Sequence, residues 1–266
     1  MNQIEPVAPA PLVQRQDIDQ VAWLTLNRPQ QYNALSWDML EALLAEFDRL
    51  AADDSVRVVV IGSEGKAFCA GHDLKEMRRN YTIDFQRELF RLCSRVMQRI
   101  LSLPQPVIAR AHGLVTAAGC QLVAMCDLAV ATDQARFAVS GINVGLFCST
   151  PGVALSRNIG RKDAFEMLMT GEFITAAEAR QRGLVNRVVA ADALDAEINV
   201  LADAIKAKSP LAVRTGKELF YRQLEMGMDA AYQLAAETMA CNMMSEDARE
   251  GIDAFIGKRT PVWRGR

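Results

Sequence analysis

Apolar β-branched runs alternate with stretches of 3.6-residue periodicity over roughly the first half of this chain. Residues 21–27 (VAWLTLN) read as a strand that stops at Pro29. Ser36 then caps a periodic helix running to residue 53. A second strand at 56–61 (VRVVVI) enters a loop of small residues, and 84–103 form an amphipathic helix ending before Pro104. Further strands are predicted at 107–111 and 128–132. Two strand–helix–strand passages of similar plan thus follow one another, which indicates a repeated β/α unit. From Pro151 onward helical spacing dominates, at 162–170, 175–182, 193–208, 211–224, 228–243 and 246–258. Thr175 with Glu178, and Ser245 with its acidic followers, match helix-start signatures. The expected organisation is a loose arm (1–16), an α/β core (17–195) and a helical C-terminal region (196–266) that packs on partner subunits. The Met-rich run 239–244 is read as core or interface.

One stretch, residues 106–127 (PVIARAHGLVTAAGCQLVAMCD), breaks from strand into a small-residue turn and restarts as a helix near Ala118. A helix start presents backbone N–H groups without intrahelical partners, suited to an anion or to an oxygen that becomes anionic in a reaction. A second small-residue turn, AFCAGHDL (67–74), follows the second strand. Two such turns in one core could aim two donors, Ala70 and Ala118, at one oxygen.

Composition narrows the remaining classes. The 266 residues are 50% hydrophobic and carry a net charge of −2, so no basic stripe speaks for nucleic acid. The six cysteines form no CxxC pair and read as buried free thiols in a reducing compartment. No apolar run approaches ~18 residues and no signal-peptide core precedes residue 16, giving the expectation of a cytoplasmic protein without a membrane span. GxSxG, P-loop and HExxH patterns are absent, and no metal site is expected. Asp73 reads as a helix cap and His112 as structural. His72 is taken as a solvated or CoA-adjacent imidazole near a pocket mouth, with a general-base role as the alternative. Cys148 as a nucleophile has no evident base partner.

Four ordered motifs carry a resemblance: NRPQQYNAL (27–35), AFCAGHDL, HGLVTAAGCQLVAMCDLAVAT (112–132) and LMTGEFITAAEARQRGLVNRVV (168–189). Together they resemble the crotonase, or enoyl-CoA hydratase/isomerase, superfamily from about residue 21 to 263. The segment 141–157 with AAGCQL narrows this to one animal branch. The resemblance implies a spiral of ββα units, a helical trimerisation region, and a trimer or dimer of trimers. It implies an acyl-CoA thioester as ligand, with coenzyme A as part of the substrate and no separate cofactor. The thioester oxygen would sit on the N–H groups of Ala70 and Ala118. Ala34 and the loop Ala70, Gly71, His72, Asp73 and Leu74 would line the CoA groove, with Arg28, Lys66 and Lys258 as phosphate contacts.

The departures carry as much information. Hydratases of the superfamily place glutamates where this chain has Gln121 and Gly141, and some isomerases use an acid where it has Ser149. Gln121 can orient a water but cannot take its proton, and Gly141 can do neither. The expected function is therefore that of an acyl-CoA enzyme, nominally a hydratase or isomerase, that polarises a thioester carbonyl but lacks the acids hydration requires. The alternatives are a non-catalytic acyl-CoA binder, thioester hydrolysis and decarboxylation.

Overall fold

The computed structural model describes residues 10–266. It opens with a hairpin, β1 (Val13–Ile18) and β2 (Val21–Leu26), turning through Asp19 and Gln20 at φ of 47° and 64°. The end of the stretch expected as a loose arm is thus an edge strand, and residues 1–9 of that arm lie outside the described residues. Only Val13 of β1 is buried, so the strand shows no apolar alternation to read. Helix α1 (Trp37–Ala51) follows, with the Ser36 hydroxyl accepting from the Met39 N–H.

Three units of similar plan come next. They are β3 (Val58–Ser63) and β4 (Ala67–Cys69) with helices α2 (Leu74–Arg79) and α3 (Ile83–Ser102); β5 (Val107–Ala111) and β6 (Leu114–Thr116) with α4 (Ala118–Met125); and β7 (Leu128–Thr132) and β8 (Arg136–Ala138) with α5 (Ser149–Asn158). The first strand of each unit joins a six-stranded sheet of order β1-β2-β3-β5-β7-β10, where β10 is Arg187–Val189. The second joins a four-stranded sheet of order β4-β6-β8-β9, where β9 is Ile174–Thr175. Each unit advances one parallel position in both sheets, which is a spiral of ββα units. The small sheet escaped sequence reading because strands of two or three residues have no period to detect.

All six residues of β3 are buried, since both faces of the large sheet are covered. One face packs on α1, α3 and α4; the other carries Val58, Val60, Ile108 and Val130 against Ile198 and Ala202 of α8 (Leu194–Lys206). Before α8 lie α6 (Arg161–Thr170) and α7 (Ala176–Gln181), the latter closed by a reciprocal Thr175–Glu178 cap. After it come α9 (Pro210–Leu224), α10 (Met228–Met243) and α11 (Glu246–Ile256). Helix α9 is pinned to the core by the buried Lys217 ammonium, which donates to the carbonyls of Ile100 (2.8 Å) and Gln105 (2.9 Å) and to Asp127 (2.7 Å). No residue of α10 is buried, and Met239, Met243 and Met244 are exposed, so this run is not core of its own chain. The last residues fold back on α11, where the buried Asp247 carboxylate accepts from the N–H groups of Arg264 and Gly265.

Candidate active site

Asn33 builds the first wall. It is fully buried at a φ of 53°; its carbonyl oxygen accepts from the Arg28 N–H (2.8 Å), and its amide donates to the Glu64 and Ala67 carbonyls (2.8 Å each). The segment before α1 is thereby clamped to the loop after β3. Tyr32 presents its carbonyl to the Ala70 N–H at 3.0 Å. Ala70 therefore cannot be the free donor expected of it. Two residues on, Leu35 donates to the Gly71 carbonyl (2.8 Å) and accepts from the Asp73 N–H (3.3 Å). Extended backbone alternates its polar groups, so with 71 and 73 turned toward Leu35 the His72 N–H turns away from it. That N–H has no hydrogen-bond partner among the described residues.

The second wall is the start of α4. Ala117 sits at φ 49°, ψ −119°, a conformation costly for any residue with a Cβ, and its N–H is held by the Ala138 carbonyl (2.9 Å). Ala118 is then the first helical residue, buried, with an N–H unpartnered among the described residues. A Cβ on Gly71 would stand 2.8 Å from the Ala117 Cβ and 3.3 Å from the Ala118 nitrogen, so the two walls meet here. Gly119 allows the approach, since a Cβ there would lie 2.2 Å from the Cys69 carbonyl oxygen. Among the donors left free on these two turns are those of His72 and Ala118.

Gln121 lies one turn along α4, where a helical side chain leans back over the preceding turn and hence toward Ala118. It is 4% exposed and its Oε1 has no partner. Gly141 sits in a single-turn helix (Ser140–Val144) and Ser149 opens α5. A Cβ at Gly141 would meet the Cys148 Sγ and the Leu146 carbonyl oxygen, both at 2.7 Å, so the position is shut to larger residues while the loop keeps this path. Burial raises the Cys148 thiol above its ordinary pKa and pushes Cys69 and Cys120 up to about 12, which disfavours thiolate chemistry at all three.

Of the two expected surroundings of the His72 ring, solvent is the one the structure contradicts. The ring packs edge-on against Phe90 with centroids 5.3 Å apart, and its Nδ1–H donates to the Leu35 carbonyl at 3.3 Å, leaving Nε2 buried and unpartnered. Burial lowers its pKa from 6.5 to about 4. Between those values the unfolded chain binds the proton that the folded ring refuses, so stability is intact above 6.5 and falls as pH drops toward 4. At ~1.36 kcal/mol per unit the loss amounts to roughly 3 kcal/mol. Urea unfolding at neutral pH and near pH 4 should therefore show a smaller acid loss in His72→Phe than in the native chain. Equal losses would refute a buried neutral ring.

The other candidates divide between structure and solvent. Asp73 caps α2, accepting from the N–H groups of Lys75 and Glu76, and pairs with Arg28 at 2.9 Å, so this cation is already partly engaged. Ala34 is buried beside them, and Lys66 and Leu74 are exposed. Lys258 is exposed beyond α11 at a φ of 52°. His112 is structural, its Nε2 at 2.9 Å from the Gly65 carbonyl. Beside Phe90 opens a cavity of about 600 Å³ walled by Leu74, Met77, Val144 and Leu146. Among the described residues no group of three or more His, Cys, Asp or Glu side chains is placed to hold a metal. Sequence reading missed Asn33 and Ala117, though the isolated Asn of a Pro-containing turn is a signal for the first.

The chain as a whole is similar to known proteins. A family model described as enoyl-CoA hydratase/isomerase matches residues 17–266. Enoyl-CoA hydratase domain-containing protein 3, mitochondrial, of Xenopus laevis is 47% identical over 95% of this chain and 86% of its own. A crystal structure of an enoyl-CoA hydratase from Mycobacterium smegmatis superposes with a TM-score of 0.94 at 62% identity, covering 96% of this chain and 99% of that one. The human domain-containing protein 3 gives 0.92 at 45% identity, over 95% and 100%. This is the animal branch to which the 141–157 segment pointed. The mitochondrial names of such relatives lend no support to the cytoplasmic expectation, and no helix among the described residues is long and apolar enough to cross a membrane. The chain belongs to the enoyl-CoA hydratase/isomerase family.

Proposed function

We propose that this chain binds an acyl-CoA thioester and polarises its carbonyl between the N–H groups of His72 and Ala118. The observation that carries the reading is this pair of unpartnered donors on two turns that meet at Gly71. The N-terminal dipole of α4 adds to the stabilisation of an enolate or oxyanion there. Coenzyme A enters as part of the substrate, with exposed Lys66 and partly engaged Arg28 as phosphate contacts and Lys258 contributing from a neighbouring subunit. The same reading makes the chain a homotrimer or dimer of trimers, supported by the exposed Met228, Tyr232, Phe255 and Ile256 of α10 and α11. A monomer in sedimentation would remove that element.

Hydration is not the reaction we assign. The two acids that follow His72 in the chain are engaged, Asp73 by the α2 cap and Arg28, and Glu76 by the Trp37 N–H (2.9 Å). With no carboxylate at Gln121, Gly141 or Ser149, a reaction that needs an electron sink but no base fits best. Decarboxylation is such a reaction: a carboxylate on the α-carbon leaves as carbon dioxide, the electron pair of the broken carbon–carbon bond passes to the thioester oxygen, and the α-carbon then takes a proton from water. The second reading, a non-catalytic acyl-CoA binder, rests on the same missing base. Calorimetry and product analysis over a panel of acyl-CoAs test both. Product favours the enzyme and binding without product the binder, while no binding sinks the common reading.

Restoring both acids is expected to fail. In an open pocket a recovered acid–base pair would raise hydration by roughly 10²–10⁴. At Gly141 the added side chain collides with backbone at 2.7 Å. Gln121→Glu/Gly141→Glu should thus show no gain in crotonyl-CoA hydration, and a gain in that range would prove that the loop yields.

A further inference from the structure

The cavity beside Phe90 carries one feature that an alkyl chain does not need. Leu74, Met77 and Arg78 fall at i, i+3 and i+4 of α2 and line the cavity, together with Tyr81 just beyond the helix end. A cation thus stands where an apolar face calls for another aliphatic residue. Arg78 makes no ion pair or hydrogen bond with any described residue; its guanidinium lies over the Tyr81 ring, 5.1 Å from the centroid. No acidic side chain lines the cavity to neutralise it. Leu74 is two residues from the His72 donor, and Arg78 lies roughly 6 Å farther along α2 at 1.5 Å per residue. Phe90 touches the His72 ring and also walls the cavity, so the cavity that holds the cation adjoins the turn carrying the His72 donor.

We infer that Arg78 recognises a carboxylate at the far end of the acyl chain, so that the preferred ligand is the mono-CoA thioester of a dicarboxylic acid. This rests on the acyl-CoA binding proposed above and not on decarboxylation, since a carboxylate held by Arg78 at the far end is not the α-carboxylate that the thioester can release. The methylenes would lie along Leu74, Met77 and Phe90. The terminal carboxylate would meet an unpaired guanidinium already oriented by Tyr81, in the fork geometry that arginine offers to carboxylates. An uncharged chain of the same length gains the apolar contact alone.

The test is calorimetry on the full chain with CoA, hexanoyl-CoA and adipyl-CoA. Adipyl-CoA should bind about tenfold more tightly than hexanoyl-CoA, as one charge-assisted bond at a partly exposed site allows. Arg78→Met keeps the apolar stem and should abolish that preference while leaving CoA and hexanoyl-CoA unchanged. Arg79→Met, outside the cavity, should preserve it. A native chain without the preference, or one in which Arg78→Met retains it, overturns the inference. Equal weakening of CoA itself by Arg78→Met also overturns it, because Arg78 would then be a phosphate contact. If CoA and hexanoyl-CoA bind normally, only this inference has failed; if no thioester binds, the underlying reading has failed with it.

Discussion

Replacing Ala118 by proline is expected to lower turnover of an acyl-CoA substrate by roughly 10²–10³, the usual effect of losing one oxyanion donor. The substitution is selective because of where Ala118 stands. It is the first residue of α4, the helical position at which proline is well tolerated, and its N–H donates to nothing among the described residues. The variant therefore removes a donor without removing a hydrogen bond from the fold. Turnover of any thioester processed in the panel gives one measurement. The carbonyl band of a bound ¹³C-labelled thioester in difference infrared gives a second, which is independent of chemistry. Native protein should shift the band to lower frequency, and Ala118→Pro should return it most of the way to its free value. A melting curve checks that the helix persists. An unchanged band with unchanged turnover would refute the role of this N–H, and the oxygen would have to lie elsewhere.

Lys217→Met is expected to destabilise the fold by about 3–5 kcal/mol, the cost of breaking a buried ion pair by removing one partner. Lys217 is 8% exposed and spends all three ammonium protons, on two carbonyls and on Asp127. Asp127 also accepts from the Tyr221 hydroxyl (2.7 Å) and the Val107 N–H (2.6 Å), so it stays in place as an undercompensated carboxylate when the lysine is gone. Neutralising it as well, in Lys217→Met/Asp127→Asn, should recover part of the loss, and urea titrations of both variants measure the coupling. A loss below about 1 kcal/mol in the single variant would mean that the pair is as weak as a surface one. The effect should reach the site, because Asp127 follows Cys126, the cap of α4, and links it to both β5 and α9.

What could be read in advance depended on the range of the interactions involved. The strands β3, β5 and β7 and the helix α3 announce themselves because their residues face buried surroundings at regular spacing, and the resemblance supplied the spiral. The four-stranded sheet did not, since its members are too short to show a period. The site divides in the same way. AFCAGHDL marks a turn that brings backbone near a ligand, yet nothing local says which of its N–H groups is free. That is decided by Tyr32 and Leu35, more than thirty residues upstream, whose pairing occupies Ala70 and Asp73 and releases His72 between them. The burial of the His72 ring is hidden for the same reason, because it depends on Phe90 in another helix. Gln121 was legible as a missing acid. That Gly141 has no room for one was not, because the obstruction is a carbonyl five residues along a loop with no regular pattern.

That obstruction sets an order on any route by which this scaffold is made to hydrate an alkene. A library randomised at 141 alone will return glycine, whatever the selection rewards, because any Cβ there already meets the Leu146 carbonyl. The productive first move is made at 142–147, where a rerouted loop has no catalytic value by itself and must be accepted for the space it opens. Only then can glutamates at 121 and 141 be rewarded together, so selection for hydratase activity should begin from a pool of loop variants rather than from the native chain.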